Sequence, residues 1–329
     1  MKQRELGKTG LTVTPLGLGL AALGRPGYIN LGHATDLEHN YDVAAMEAHT
    51  HTVLDAAWAA GIRYFDAARS YGRAEQFLST WLHSRQIDPA AVTVGSKWGY
   101  TYTADWQIEA DKHEIKEHSL PVLQRQTGES LALLNGYLKL YQIHSATLDS
   151  GVLENKAVIA ELSRLKAEQG LKIGLSLSGS AQAETLRRAL GVRLFDGSPL
   201  FDAVQATWNL LEPSTGPALA EASAEGLGVI IKEAVANGRL TPRNTNPDVA
   251  ILRQAAADRG VTSDALALAA VLAQPWVDIV LSGAAQIEHL HANVKALEIT
   301  WDETLAEQLA ALAEPPHVYW QKRSDLAWN

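Results

Sequence analysis

The sequence predicts one closed (β/α)8 barrel spanning residues 1–329 as a single domain. Three observations lead there. Eight short apolar segments alternate with helical stretches, which implies parallel strands joined by right-handed crossovers. Eight such units in 329 residues suit one closed barrel better than two open sheets. No linker-like stretch divides them.

The elements follow in order. A hairpin, Arg4–Leu6 and Leu11–Thr14 around Gly7-Lys8-Thr9-Gly10, is placed to plug the barrel floor. Barrel strands are predicted at 16–19, 62–65, 92–95, 138–143, 171–177, 203–207, 227–231 and 277–281. Between them, Ala44–Ala60 has helical spacing and stops at Gly61, and Arg73–Ser84 puts Phe77, Leu78, Trp81 and Leu82 on one face. Lys112–Leu134 reads as mostly helical, Val152–Gln169 is ended by Gly170, and Ala181–Leu190 and Gly216–Glu225 follow. Helices near 247–259, 263–273, 287–296 and 303–313 precede an irregular tail. Two long connections, 24–41 and 97–111, follow strands and so belong at the top of the barrel. The second carries Trp98, Tyr100, Tyr102 and Trp106. Exposed aromatics need something to cover, so Trp98, Tyr100 and Trp106 are expected to line a substrate pocket.

Composition narrows the function. A net charge of −9 argues against a general nucleic-acid binder. The absence of cysteine excludes disulfides, thiolate–zinc sites and a cysteine nucleophile, and fits a reducing compartment. MKQRELGKTG lacks the apolar core of a signal peptide, and the longest apolar run, Ala265–Ala273, is too short to span a bilayer. The expectation is a cytoplasmic protein with a small-molecule partner, no membrane or nucleic-acid partner, and an open question of homo-oligomerisation. His49 and His51 are two apart and share no helix face, and with no cysteine and no HExxH pattern nearby, His33, His39, His49 and His51 read as solvated surface residues, so no metal site is expected.

Residues just past barrel strands face the site. Asp66, Tyr71 on a short loop, Lys97 and His144 stand at the ends of three consecutive strands. A tyrosine titrates near pH 10, too high for easy proton traffic at neutrality. A lysine beside it is expected to lower that value, a carboxylate to hold the lysine, and a histidine to bind a carbonyl oxygen or relay the proton. The set makes a general acid for a developing alkoxide, without nucleophile or metal cage, so a nicotinamide is the simplest electron source.

The segments FDAARSYGRAE, SKWG and LYQIHS resemble the catalytic segments of the aldo/keto reductase superfamily. The resemblance implies Asp66, Tyr71, Lys97 and His144 as a catalytic tetrad with Tyr71 as general acid. It implies hydride transfer from NAD(P)H to an aldehyde or ketone, or the reverse oxidation of an alcohol or aldose. It places Ser176 and Gln205 on the nicotinamide carboxamide. Lys232–Leu240 matches the segment usually written Tyr-Ser-Pro-Leu-Ala-x-Gly, which assigns Lys232, Glu233, Val235, Gly238 and Arg239 to the cofactor. Ser282–Asn293 matches the adenosine grip, with Ser282, Gly283, Ala285, His289 and Asn293. Gly19 and Leu20 form a tight strand end under the cofactor; Gly17–Ala22 fits a dinucleotide fingerprint literally, but Gly24, Pro26 and Gly27 break the chain where a helix should start. Departures are Leu177 for asparagine, Lys232 for the stacking aromatic, Glu233 for serine and Ala292 for an adenine-binding acid. The superfamily implies NADP(H). Leu281–Asn293 contains no Arg or Lys to clamp a 2′-phosphate, so NAD(H) stays open, with His289, Gln286 or Arg239 as substitutes. Two other readings are a cofactor-sensing regulatory subunit of a membrane channel with vestigial activity, and a barrel lyase or isomerase.

Overall fold

The computed structural model describes residues 1–194 and 196–329. A hairpin of β1 (Arg4–Glu5) and β2 (Thr12–Val13) comes first. The barrel strands are β3 (Leu16–Gly19), β4 (Tyr64–Asp66), β5 (Thr93–Trp98), β8 (Leu138–Ala146), β9 (Lys172–Leu177), β10 (Ala203–Thr207), β11 (Gly228–Lys232) and β12 (Ile279–Ser282). Between β5 and β8 lies an antiparallel ribbon of β6 (Tyr100–Tyr102) and β7 (Glu114–Lys116). The eight barrel strands run β3-β4-β5-β8-β9-β10-β11-β12, and β12 closes on β3 with Leu281 opposite Gly17. This is the TIM barrel that the alternation predicts.

The elements differ from the sequence expectation at several points, among them β6, which lies within the 97–111 connection. Glu114–Lys116 is strand rather than helix, and the helix there covers only Leu120–Leu134. Its start is fixed by Ser119, whose side chain accepts from the Val122 N–H, and by Pro121, which a helix tolerates only in its first turn. The predicted irregular tail contains a helix, Pro316–Ser324.

The strand period of two builds the barrel interior in layers. Tyr64, Leu140, Ala203 and Ile279, one from each even-numbered barrel strand, are all buried in one apolar cluster with Leu6 and Val13 of the hairpin. The hairpin therefore closes the floor. Two residues further along the same strands come Asp66, Gln142, Gln205 and Leu281. The upper layer is thus polar where the lower one is apolar. Tyr64 is tall enough to reach this layer, and its hydroxyl donates to Asp66 Oδ1 at 3.3 Å. The neighbouring strand makes room with Gly95, where a Cβ would sit 2.4 Å from that hydroxyl. Outside the barrel, a larger apolar cluster that includes Phe65, Leu78, Trp81 and Trp98 welds the strands to the helices. Each such fully buried side chain contributes about 1.5–3 kcal/mol.

Candidate active site

The polar layer carries a buried ion pair. Lys97 Nζ pairs with Asp66 Oδ2, with the two side chains 1% and 3% exposed. Lys97 also donates to the Ala67 carbonyl at 3.1 Å and to the Tyr71 hydroxyl at 3.4 Å. Asp66 Oδ1 accepts from Gln205 at 2.9 Å and from Gln142 at 3.4 Å. Buried charges persist only when paired and hydrogen-bonded, and this pair is both.

Tyr71 reaches the same point from a loop. That loop is pinned by Gly24, where a Cβ would lie 2.3 Å from the Tyr71 carbonyl, and by the Arg73 N–H donating to the Gly24 carbonyl at 2.7 Å. Glu75 anchors its far end. It is buried, pairs with Arg69 at 2.7 Å and accepts from Ser96 and Ser130. His144 lies edge-on to Tyr71, with ring centres 5.4 Å apart, and Tyr100 tilts against its other side at 4.9 Å. His144 Nδ1 is 3.4 Å from Ser70 Oγ.

Burial dominates the electrostatics. It raises the Tyr71 pKa well above 10, the Asp66 charge adds to the rise, and Arg25 opposes it. The sequence expectation of a lysine-lowered tyrosine is therefore corrected: Asp66 neutralises Lys97, and desolvation wins. Burial likewise lowers His144 well below its usual value, helped by the charges of Lys97 and Arg25, so the imidazole is neutral at pH 7.

A cavity of about 300 Å3 opens over these groups. Asp66, Tyr71, His144, Gly19, Gln205, Lys232, Glu233, Val235, Ser282, Gly283 and Tyr100 all face it. A second cavity of about 280 Å3 receives Gly238, Ala285, His289 and Asn293, and shares Asn30, Val235 and Gly283 with the first. The two form one elongated groove across the tops of β10, β11, β12 and β3.

Several anticipated residues lie elsewhere. Trp98 is wholly buried outside the barrel, because successive strand residues face opposite ways and Lys97 points in. Trp106 packs on Phe77 and donates to the Tyr41 carbonyl at 2.7 Å. Leu20 turns into the apolar core, Ser176 sits behind Ser145 and accepts its N–H at 2.8 Å, and Arg239 pairs with Glu314 at 2.6 Å away from both cavities. His33 is fully buried, not solvated, and His49 is bound to the Ala285 carbonyl at 2.6 Å.

Other wall residues were not foreseen. Arg25 is 3% exposed, pairs with Glu114, and lies over the rings of Tyr28, Tyr71 and Trp328 at 5.1, 5.2 and 4.9 Å. Trp328 stacks on His113 at 3.9 Å. Asn329 exchanges two backbone hydrogen bonds with Tyr28, at 3.1 and 3.2 Å. Lys232 and Glu233 are 3.6 Å apart, but Glu233 is bound chiefly by Arg323 at 2.6 Å, while Lys232 donates to Thr207 at 2.8 Å. Burial alone would raise Glu233, yet Arg323 and Lys232 hold it at about 2. Lys232 is lowered to about 8, since burial costs its ammonium more than Glu233 returns.

The residues fit an extended nucleotide cofactor. Ser282 and Gly283 lead into the N-terminus of the helix Ile287–Lys295, whose free N–H groups favour an anion. Beyond it, buried Asp264 and Asn293 each keep a side-chain oxygen without a partner, as a site built for a ligand's donors would.

The fold is a TIM barrel with a buried polar cluster at the carboxyl ends of its strands. Residues 15–314 match the aldo/keto reductase family, and the chain belongs to that family. It is 25% identical to the "Uncharacterized oxidoreductase YqkF" of Bacillus subtilis (strain 168), over 90% of this chain and 91% of that protein. It is also 25% identical to "Aldo-keto reductase str7" of Strobilurus tenacellus, over 96% and 93%. Its fold matches that of the aldo-keto reductase AKR11C1 from Bacillus halodurans (holo form) with a TM-score of 0.73, 23% identity, and coverage of 96% and 97%. No helix among the described residues is long and apolar enough to cross a membrane.

Proposed function

We propose that this chain is a nicotinamide-dependent carbonyl reductase in which Tyr71 is the general acid. The observation that carries the proposal is the convergence of the Tyr71 hydroxyl, the Lys97–Asp66 pair and His144 at the base of one cavity. A nicotinamide held in this groove would supply hydride chemistry at the carbonyl carbon. Tyr71 supplies the proton to the carbonyl oxygen as that oxygen gains charge. A phenol whose pKa is raised by burial stays protonated at neutral pH, which suits an acid. Lys97, held by Asp66, stabilises the phenolate left behind. Neutral His144 orients the carbonyl: with Nδ1 facing Ser70, its Nε2–H is free to donate. The reverse reaction, oxidation of an alcohol or a cyclic aldose, uses the same groups with Tyr71 as base.

Ser282, Gly283 and the helix behind them would hold the cofactor's phosphates, Asn293 and Asp264 its adenosine, and Gln205 its nicotinamide end. The cavity wall of Tyr28, Tyr100, Trp328 and the Arg25–Glu114 pair suits a small substrate that carries polar groups beside its carbonyl.

The test is oxidation of the reduced cofactor, followed by absorbance, with an activated aromatic aldehyde. Tyr71→Phe should lower kcat by about 10²–10⁴ while leaving cofactor binding intact. Turnover by Tyr71→Phe at the parent rate would end the proposal.

A further inference from the structure

We infer that the adenosine end of the groove selects the dinucleotide with a free ribose 2′-hydroxyl, NAD(H), and that Asp36 and Asp264 set this preference. The inference rests on the nicotinamide-cofactor reading and departs from the NADP(H) that the family resemblance implies.

The second cavity is lined by three carboxylates, Asp36, Asp264 and Glu288, against one guanidinium, Arg243. Arg243 is the only arginine or lysine among its lining residues, and it is already engaged. Its Nη1 lies 2.9 Å from Asp36 Oδ2, 3.0 Å from the Leu31 carbonyl and 3.2 Å from the Gly32 carbonyl, and its Nη2 pairs with Asp36 Oδ1. This is the two-pronged fork with which arginine would otherwise grip a phosphate. A phosphate on the other edge of the guanidinium would still lie beside the Asp36 carboxylate, and to give it the paired fork Arg243 would have to leave Asp36, whose side chain is 4% exposed. The remaining carboxylate would then be buried with only His289 Nδ1, 3.9 Å away, to offset it. Gln286 donates to the Asp36 carbonyl, so the segment bearing Asp36 is fastened to the helix that follows β12.

The unpaired groups point the same way. Asp264, 6% exposed, has Oδ1 without a partner, and Asn293, 5% exposed, has Oδ1 without a partner while its Nδ2 donates to Ser282 Oγ at 2.9 Å. Both are acceptors. Ribose hydroxyls and an adenine amino group bring donors; a phosphate dianion brings only further acceptors and more negative charge. A carboxylate that receives the ribose hydroxyl is the general device of NAD selection, and an unengaged arginine that of NADP selection.

The experiment is calorimetric titration of the full chain with NADH and with NADPH. NADH should bind at least tenfold more tightly. Asp36→Ala should release Arg243 and shrink that ratio tenfold or more. Arg243→Leu should change the two affinities alike. Asp264→Asn, which leaves the Arg243–Asp36 pair intact, should also narrow the ratio, and it serves if Asp36→Ala does not fold. Equal or tighter binding of NADPH by the parent, or a selective tenfold loss of NADPH affinity in Arg243→Leu, would overturn the inference and leave the cofactor reading standing. Failure to bind either nucleotide would bring down both.

Discussion

Asp66→Asn, Lys97→Met and the double substitution form a cycle that tests whether the barrel centre is held by a compensated charge pair. In the parent, both side chains are almost entirely buried. Asp66→Asn leaves the buried Lys97 ammonium without its anionic partner, so it should destabilise the fold by about 3–5 kcal/mol. Lys97→Met leaves the Asp66 carboxylate with donors from Tyr64, Gln142 and Gln205, so its cost should fall near the lower end, about 3 kcal/mol. The double variant buries no charge. Its loss should be smaller than the sum of the singles by at least about 2 kcal/mol. Against a total stability of roughly 5–15 kcal/mol, these are large effects. Urea unfolding followed by the fluorescence of the nine tryptophans measures them. Losses that add to within about 0.5 kcal/mol would refute the reasoning. The double variant should regain stability but no carbonyl reduction, which separates folding from chemistry.

Other outcomes follow from the same structure. Because burial and then Asp66 raise Tyr71 well above 10, the rate of reduction should stay level from neutral into alkaline pH, while oxidation, which needs the phenolate, should climb with pH; a reduction rate that falls near pH 7 in step with Tyr71 titration would contradict this. Glu233 is depressed to about 2 against an unfolded value near 4.5, so its contribution, roughly 3 kcal/mol, is present above pH 4.5 and lost as pH falls toward 2; the stability gap between the parent and Glu233→Gln should shrink across that window, and a constant gap would count against the Arg323 pairing. Gly24→Ala places a Cβ 2.3 Å from the Tyr71 carbonyl, so it should cost about 1–3 kcal/mol of stability and lower kcat by displacing Tyr71, as thermal melts and kinetics would report. Trp328→Ala removes a cavity wall and a face of Arg25 but no reacting group, and should raise KM for the carbonyl substrate more than it lowers kcat.

What was legible in the sequence is what strands carry. Asp66, Lys97 and Gln205 sit on elements whose period and order are written in the apolar pattern, and strand ends of a barrel converge on one place by geometry. The same period shows why Trp98 was misplaced: its neighbour Lys97 faces in, so it faces out. Arg25, Glu114 and Trp328 were illegible because a loop, an unpredicted ribbon and a late segment bring them together, and no local pattern encodes a meeting of residues so distant in sequence. Arg243 is illegible for a related reason: the segment matched to the adenosine end follows β12, whereas this guanidinium arrives from the connection after β11, four residues beyond Arg239. The pKa of Tyr71 was misjudged because a sequence shows that a lysine is near but not how deeply the phenol is buried.

The paired backbones of Tyr28 and Asn329 lie 301 positions apart. Joining them in an unfolded chain would cost roughly 5 kcal/mol of closure entropy, far more than two hydrogen bonds return. The join becomes favourable only once the closed barrel has brought both segments to the same rim. The seam should therefore form after the barrel and open before it. Hydrogen exchange at the Tyr28 and Asn329 amides should be faster than in the strands beneath them.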